Sequence, residues 1–253
     1  MVNGLTPIVV GVGQVTEPPG ENLACASSPI DLMVQATDKA LLDAGVSREL
    51  LSQLDQLAVV RSFREYTDNT ALCLARRLNA EQSEQWMMPH GGNGPQYLVN
   101  RYFESIAKGD CKFVLLSGAE AMNTSRRIVK SGSKPDWSEP ADQPGRYLVA
   151  DREMSTDHEK ANGAWLASSI YPLFENALRG AYGEGIDEHQ QAMGELFARF
   201  SAVAAKTPTA WYPESLSGSD IATASLDNRY VGWPYTKRMN AMNQINQSAS
   251  LLL

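Results

Sequence analysis

Short apolar runs alternate with helical stretches through the first half of the chain, and this alternation constrains the fold more than any other feature. The runs "PIVVGVG" (7–13), "LDQLAVVRS" (54–62), "EQWMMP" (84–89) and "CKFVLLSG" (111–118) are rich in β-branched or other apolar residues and end near Gly, Pro or Ser. Each reads as a buried strand. Between them lie "SPIDLMVQATDKALLDAG" (28–45), "DNTALCLARRLNA" (68–80) and "YLVNRYFESIAKG" (97–109), which read as helices. In the first of these, Ser28 stands at the N-cap, Pro29 at the first helical position and Asp31 three residues after Ser28, the pattern of a capping box. Leu32, Ala36, Ala40 and Leu41 recur on one face, and Gly45 supplies the stop. Strands that alternate with helices through short loops form a mostly parallel sheet covered on both faces, an α/β fold.

The pattern breaks near residue 124. "KSGSKPDWSEPADQPGRYLVADREMS" is loop-like, and two helical stretches follow at 161–183 and 187–206, the first expected to end or kink at Pro172. The closing "QINQSASLLL" reads as a fifth strand. The expected organisation is a core of 1–123 plus 228–253 with an inserted helical loop domain at 124–227. Three terminal leucines call for burial, at about 1.5–3 kcal/mol each. The last strand is therefore expected to need cover from further chain or a partner. An exposed apolar surface is expected on Leu251, Leu252 and Leu253 and on the helix face from Pro95 to Ala107.

Composition removes several function classes. The 253 residues carry a net charge of −7 with no dense Lys/Arg block, which argues against nucleic acid as the main partner. Three cysteines, Cys25, Cys73 and Cys111, show neither a CxxC nor an even-numbered disulfide framework, so no metal site is expected and a cytoplasmic location is. The N-terminus lacks the layout of a signal peptide. No apolar run approaches the roughly 20 residues that span a bilayer.

The densest chemical signal is "HGGNGPQ" at 90–96, a glycine-rich turn between the third strand and a helix. A phosphate loop would need a Lys-Ser/Thr pair or a GxGxxG closing the first strand, and "GVGQVT" offers only two glycines. Strand, tight turn and helix also make a nucleophile elbow, in which the helix N-terminus stabilises negative charge. No Cys or Ser occupies this turn; its side chains are His90, Asn93 and Gln96. His90 is a candidate base, against the commoner reading of a turn-shaping histidine. His158 and His189 read as solvated surface. Cys73 and Cys111 read as inert apolar fillers and Cys25 as a loop residue.

Four stretches, in order, resemble the thiolase superfamily, specifically its acetyl-CoA acetyltransferase and sterol-carrier-type branches. They are "PIVVGVGQV", "GGNGPQYLVNRYFESIAKGDCKFVLLSGAEAM", "YPLFENALR" with "ELFARFSAVAAKTP", and "NRYVGWPYTKRMNAMNQINQSASLLL". The resemblance implies the N-terminal portion of that fold, acyl transfer from acyl-CoA in lipid metabolism, and coenzyme A or acyl-CoA as ligand with no covalently bound cofactor. It also implies a C-terminal half or partner subunit, and a homodimer. The family carries Cys-Gly-Ser-Gly where this chain has Gly91, Gly92, Asn93 and Gly94, so the nucleophile position is Gly91. The closest resemblance is to thiolase-like proteins that lack this cysteine. Glycine forms no acyl-enzyme. The implied acyl-CoA contacts are Gly92, Asn93 and Gly94 at the turn, with Met242 and Asn243, where the family has an Asn-Ala-Ser-Gly segment. The alternative is an acyl-CoA-binding or partner protein that keeps the fold without the reaction.

Overall fold

The structure, a computed structural model, describes residues 4–20, 22–64 and 66–253. In chain order its elements are β1 (Gly11–Thr16), α1 (Pro29–Ala44), β2 (Gln56–Val60), α2 (Thr70–Leu78), β3 (Glu84–Met88), α3 (Gly94–Lys108), β4 (Val114–Ala121) and α4 (Met122–Lys130). Then come α5 (Asp157–Ala161), α6 (Ala167–Tyr182), α7 (Ile186–Ala204), α8 (Gly218–Ala222), β5 (Tyr230–Gly232), β6 (Tyr235–Thr236) and β7 (Asn246–Leu252). These fall into two compact units, Met1–Asp151 with Asn243–Leu253, and Arg152–Met242.

The first unit is an α/β layer built on a five-stranded sheet in the order β1-β7-β4-β2-β3. β2 pairs parallel with β3 and β4, while β7 runs antiparallel to both β1 and β4. The sheet is mostly parallel, as expected, and the exception is the strand that returns after the second unit. Side-chain alternation sorts the strands into two faces. Val15, Leu57, Val59, Met87, Leu115 and Leu252 pack beneath α1 and α2. On the other face Ala58, Met88, Val114, Leu116 and Leu253 meet Leu98, Tyr102 and Ile106 of α3.

Two glycines set how closely α1 can approach. A Cβ on Gly11 would stand 2.2 Å from the Ala40 carbonyl oxygen, and one on Gly13 would stand 1.9 Å from that of Ala36. The "GVG" of the first strand therefore serves helix-on-strand packing, not a ligand. α1 begins with the expected capping box, in which the Asp31 N–H donates to Ser28 Oγ and the Ser28 N–H donates to the Asp31 carboxylate.

Two expectations need correction. The terminal leucines are not an exposed patch: Leu252 and Leu253 are buried and Leu251 is half-buried, because β7 enters the sheet between two strands and not at its edge. The apolar face of α3 is covered by the same sheet. Exposed apolar side chains lie instead on and before edge strand β1, at Ile8, Val10 and Val12. The first strand pairs from Gly11 and not from Pro7. The compact units divide at Asp151/Arg152 and at Met242/Asn243, and the segment after β4 belongs to the first. There Met87 donates to the Arg146 carbonyl, Leu148 donates to the Met87 carbonyl, and Trp137 lies against the α1/α2 core.

The second unit has a small apolar core, with Met193, Ile221 and Met239 buried and Phe197, Leu216 and Tyr235 packed against them. α6 continues through Pro172 and does not end there. Proline lacks the N–H that would bond the Ser168 carbonyl, and Gly232, with no side chain, fits against Ser168 and Pro172.

Candidate active site at the carboxyl edge of the sheet

Because β2, β3 and β4 run parallel, their C-terminal ends share one edge of the sheet, the usual place for a ligand in an open α/β layer. Three segments leave the strands there: Ser62–Phe63 after β2, Pro89–Gly94 after β3, and Glu120–Ala121 at the end of β4. Serine 62 ties the first to the third, its hydroxyl donating to the Ala119 carbonyl at 2.8 Å.

The glycine turn is compact. The Gly94 N–H donates to the Gly91 carbonyl at 2.9 Å, closing the loop, and α3 starts at Gly94. A Cβ on Gly94 would lie 3.5 Å from Met88 and 3.8 Å from Val60, so the helix start sits directly on the strand ends. Asn93 occupies the N-cap but makes no side-chain cap. Its Oδ1 lies 2.8 Å from the point where a Gly91 Cβ would stand. A side chain at position 91 would therefore meet the Asn93 amide oxygen. Gly92 and Asn93 are exposed. The dipole of a 15-residue helix points its positive end at this turn.

His90 is exposed beside the turn, its ring 5.3 Å from that of Phe63, which is itself 71% exposed. Glu120 completes the group, and sequence reasoning did not single it out. It follows Leu116 and Gly118 on the face of β4 that carries α3. One carboxylate oxygen accepts the Phe63 N–H at 2.6 Å. Burial raises the Glu120 carboxyl above its ordinary value, against the Phe63 N–H and the charge of His90, which pull it down. No Lys or Arg among the described residues forms an ion pair with it. A half-buried carboxylate with no Lys or Arg partner among the described residues, at the carboxyl ends of parallel strands, is a functional-site candidate. Its sequence signal was the acid in "SGAEAM", two residues past a glycine at the end of a strand.

The other candidates are placed as follows. Asn243 is exposed in the loop before β7, where Asn123 donates to the Ile245 carbonyl at 3.1 Å; no hydrogen bond among the described residues joins Asn243 to the turn. Met242 is half-buried and closes the second unit. Cys73 and Cys111 are buried, and burial pushes both thiols up, away from thiolate chemistry. Cys25 is exposed. No cluster of metal-ligating residues occurs among the described residues, and no described helix is long and apolar enough to cross a membrane.

His158 is exposed, as expected, but His189 is not a surface residue. Only 5% exposed, its Nδ1 lies 2.5 Å from Glu184 and its Nε2 lies 2.9 Å from Glu175. Tyr235 donates its hydroxyl to the second Glu175 oxygen. Burial works to lower the imidazole's pKa; the two carboxylates outweigh it and hold the net value above that of an ordinary histidine. The cluster clasps α6, α7 and β6 within the second unit.

No protein-family model and no curated protein matches the sequence. Solved structures do. A monomeric SCP2-thiolase-like protein type 1 from Mycobacterium smegmatis matches 100% of this chain and 46% of its own at 29% identity, with a TM-score of 0.78. An Ltp2-ChsH2(DUF35) aldolase matches 96% of this chain and 54% of its own at 16% identity and a TM-score of 0.65, a likeness of fold alone. The chain spans about half the length of these structures.

Proposed function

We propose, from the premise that this chain is a thiolase-superfamily protein with a thiolase-like α/β half, that it binds an acyl thioester of coenzyme A at the 91–94 turn and forms no acyl-enzyme. The observation that carries this reading is the turn itself. It keeps the glycines and the helix N-terminus that would face a thioester oxygen, while Gly91 supplies no nucleophile and Asn93 Oδ1 stands over it. The ligand contacts proposed are Gly92, Asn93 and Gly94, with Asn243 on the return segment.

Calorimetry with acetyl-CoA, paired with intact-mass spectrometry, tests the reading. Binding with no added acetyl group is the expected result. No binding, or a stoichiometric acetyl adduct on any cysteine, overturns it. The second reading is acyl transfer of the acetyl-CoA acetyltransferase type, supported by the sequence resemblance. It calls for a complementary half-domain, on the same chain or as a partner subunit, and a homodimer is the accompanying assembly. Thiolysis turnover of acetoacetyl-CoA by the chain, alone or with that half, would favour it.

A further inference from the structure

We propose that the cavity between the N-termini of α1 and α2 binds a small anion of halide size. The site lies within the first unit and is independent of the acyl-thioester reading.

The cavity measures about 10 Å³, close to the space one water occupies. It is lined by Ser62, Arg64 and Tyr66 after β2, by Ile30 and Thr70 in the first turns of α1 and α2, and by Trp137 after α4. Both helices, of 16 and 9 residues, bring a positive end to it. Their caps satisfy only part of each first turn. Ser28 Oγ accepts the Asp31 N–H and Asn69 Oδ1 accepts the Leu72 N–H, while the N–H groups of Ile30 and Thr70 have no partner among the described residues. Thr70, only 7% exposed, also brings a hydroxyl that makes no hydrogen bond to any described residue. A hydroxyl so far out of water normally has a partner. Arg64 is the charged residue of the lining. Its Nη1 donates to Ser125 Oγ at 3.3 Å, and no carboxylate among the described residues pairs with it. The acid in the first turn of α1, Asp31, is already engaged by Ser28 and Arg77.

The groups left over at this cavity are donors: two backbone N–H groups, the Thr70 hydroxyl and the Arg64 guanidinium. A water would have to place two protons of its own there, and the neighbouring hydroxyls are already directed, Ser62 to the Ala119 carbonyl and Ser28 to the Asp31 carboxylate. An anion accepts from every one of these donors, needs no acceptor, and gains from both helix ends. Size selects among anions. The space suits a single atom, whereas a phosphate, sulfate or carboxylate brings several. The wall is held by the edge-on pair of Tyr66 and Trp137, 5.0 Å between ring centroids, and by the Tyr66 hydroxyl, which donates to Ser125 Oγ at 2.8 Å. The exposed Arg64 marks the side open to solvent. The bound ion joins α1, α2 and the segment that leaves β2.

The test uses the full chain in sodium chloride or sodium bromide, each compared with sodium gluconate at equal ionic strength. The thermal midpoint is expected to rise and saturate with either halide and not with gluconate, because a ligand of the folded state stabilises it. Thr70→Val keeps the shape and removes the hydroxyl, and Arg64→Gln removes the charge at an exposed position. Each is expected to raise the apparent halide Kd by about 10-fold or more, since each removes a hydrogen bond to a charged group. Arg64→Lys is expected to recover part of the loss. Crystals grown in bromide should show an anomalous peak in the cavity, within hydrogen-bond distance of Thr70. A midpoint indifferent to halide, with a water and no anomalous peak at the site, overturns the proposal. A halide effect unchanged in both Thr70→Val and Arg64→Gln also overturns it, because the ion then binds elsewhere. A response to phosphate equal to that to bromide overturns the assignment to a halide-sized anion.

Discussion

The two units of this chain are held together by different physics. The first has two apolar clusters, one on each face of a sheet whose strands and three main helices supply Leu, Val, Met and Ala side chains with almost no exposure. The second buries only Met193, Ile221 and Met239 as its apolar centre, while Tyr171, Phe174, Leu178 and Tyr182 on α6 stay exposed. Polar ties add to this small core. Asn228, 1% exposed, donates to the carbonyls of Ile221 and Thr223 at 2.9 Å each and accepts the Arg238 N–H at 3.0 Å. His189 joins Glu175 and Glu184. Apolar burial is insensitive to pH, whereas ionised clasps are not, so the His189 clasp should make the second unit pH-sensitive, while in the first unit the one carboxyl raised above its ordinary value, among the described residues, is that of Glu120.

The largest break in this contrast is expected from Leu252→Ala. The side chain is fully buried in the sheet strand between β1 and β4, and its loss should cost about 2–5 kcal/mol, read by denaturant unfolding of the first unit. A cost under 1 kcal/mol would mean that β7 is not a true internal strand.

Gly13→Ala comes next. The added methyl would meet the Ala36 carbonyl oxygen, a backbone atom that can move only with α1, so a loss of about 1–3 kcal/mol is expected. Hydrogen exchange should show α1 loosened and α6 unchanged. Loosening spread evenly over both units would erase the distinction between them.

A smaller and pH-dependent effect belongs to His189. Its folded pKa is raised above the unfolded value of about 6.5, so its contribution is fully present below that pH and is lost as pH rises through the folded pKa. Exchange in α6 and α7 should therefore speed up from pH 6 toward alkaline pH while α1 to α3, corrected for intrinsic rate, do not. His189→Gln should remove most of this difference, at a cost on the order of 1 kcal/mol for each hydrogen bond lost. Equal pH profiles in the two units would refute the clasp.

The smallest effect sharpens the comparison through helix caps. Ser28→Ala removes a buried cap on a core helix and is expected to cost about 1–2 kcal/mol, while Thr156→Ala on the exposed five-residue α5 should cost about 0.5 kcal/mol. Thermal melts of the two variants would check the order.

Much of the first unit was legible in the amino acids. The capping box at Ser28, the glycine stop at Gly45 and the strand runs ending near residues 60, 88 and 118 are local signals, written within a few residues of where they act. The fold family was legible too, through the order of its motifs and the glycine turn without its nucleophile. Less accessible was whatever depends on partners far along the chain. "GVG" had too few glycines for a phosphate loop, but only the close approach of α1 shows why side chains are missing there. His189 looked like surface until Glu175 and Glu184 closed on it, and "LLL" looked unprotected until β7 was found between two strands. Glu120 shows the same limit at the candidate site, since nothing near it in sequence reports that residues 63 and 90 will stand beside it. Periodicity and caps depend on neighbours in the chain. Burial, pairing and a carboxyl's proton affinity depend on which distant segments meet, and only the tertiary structure decides that.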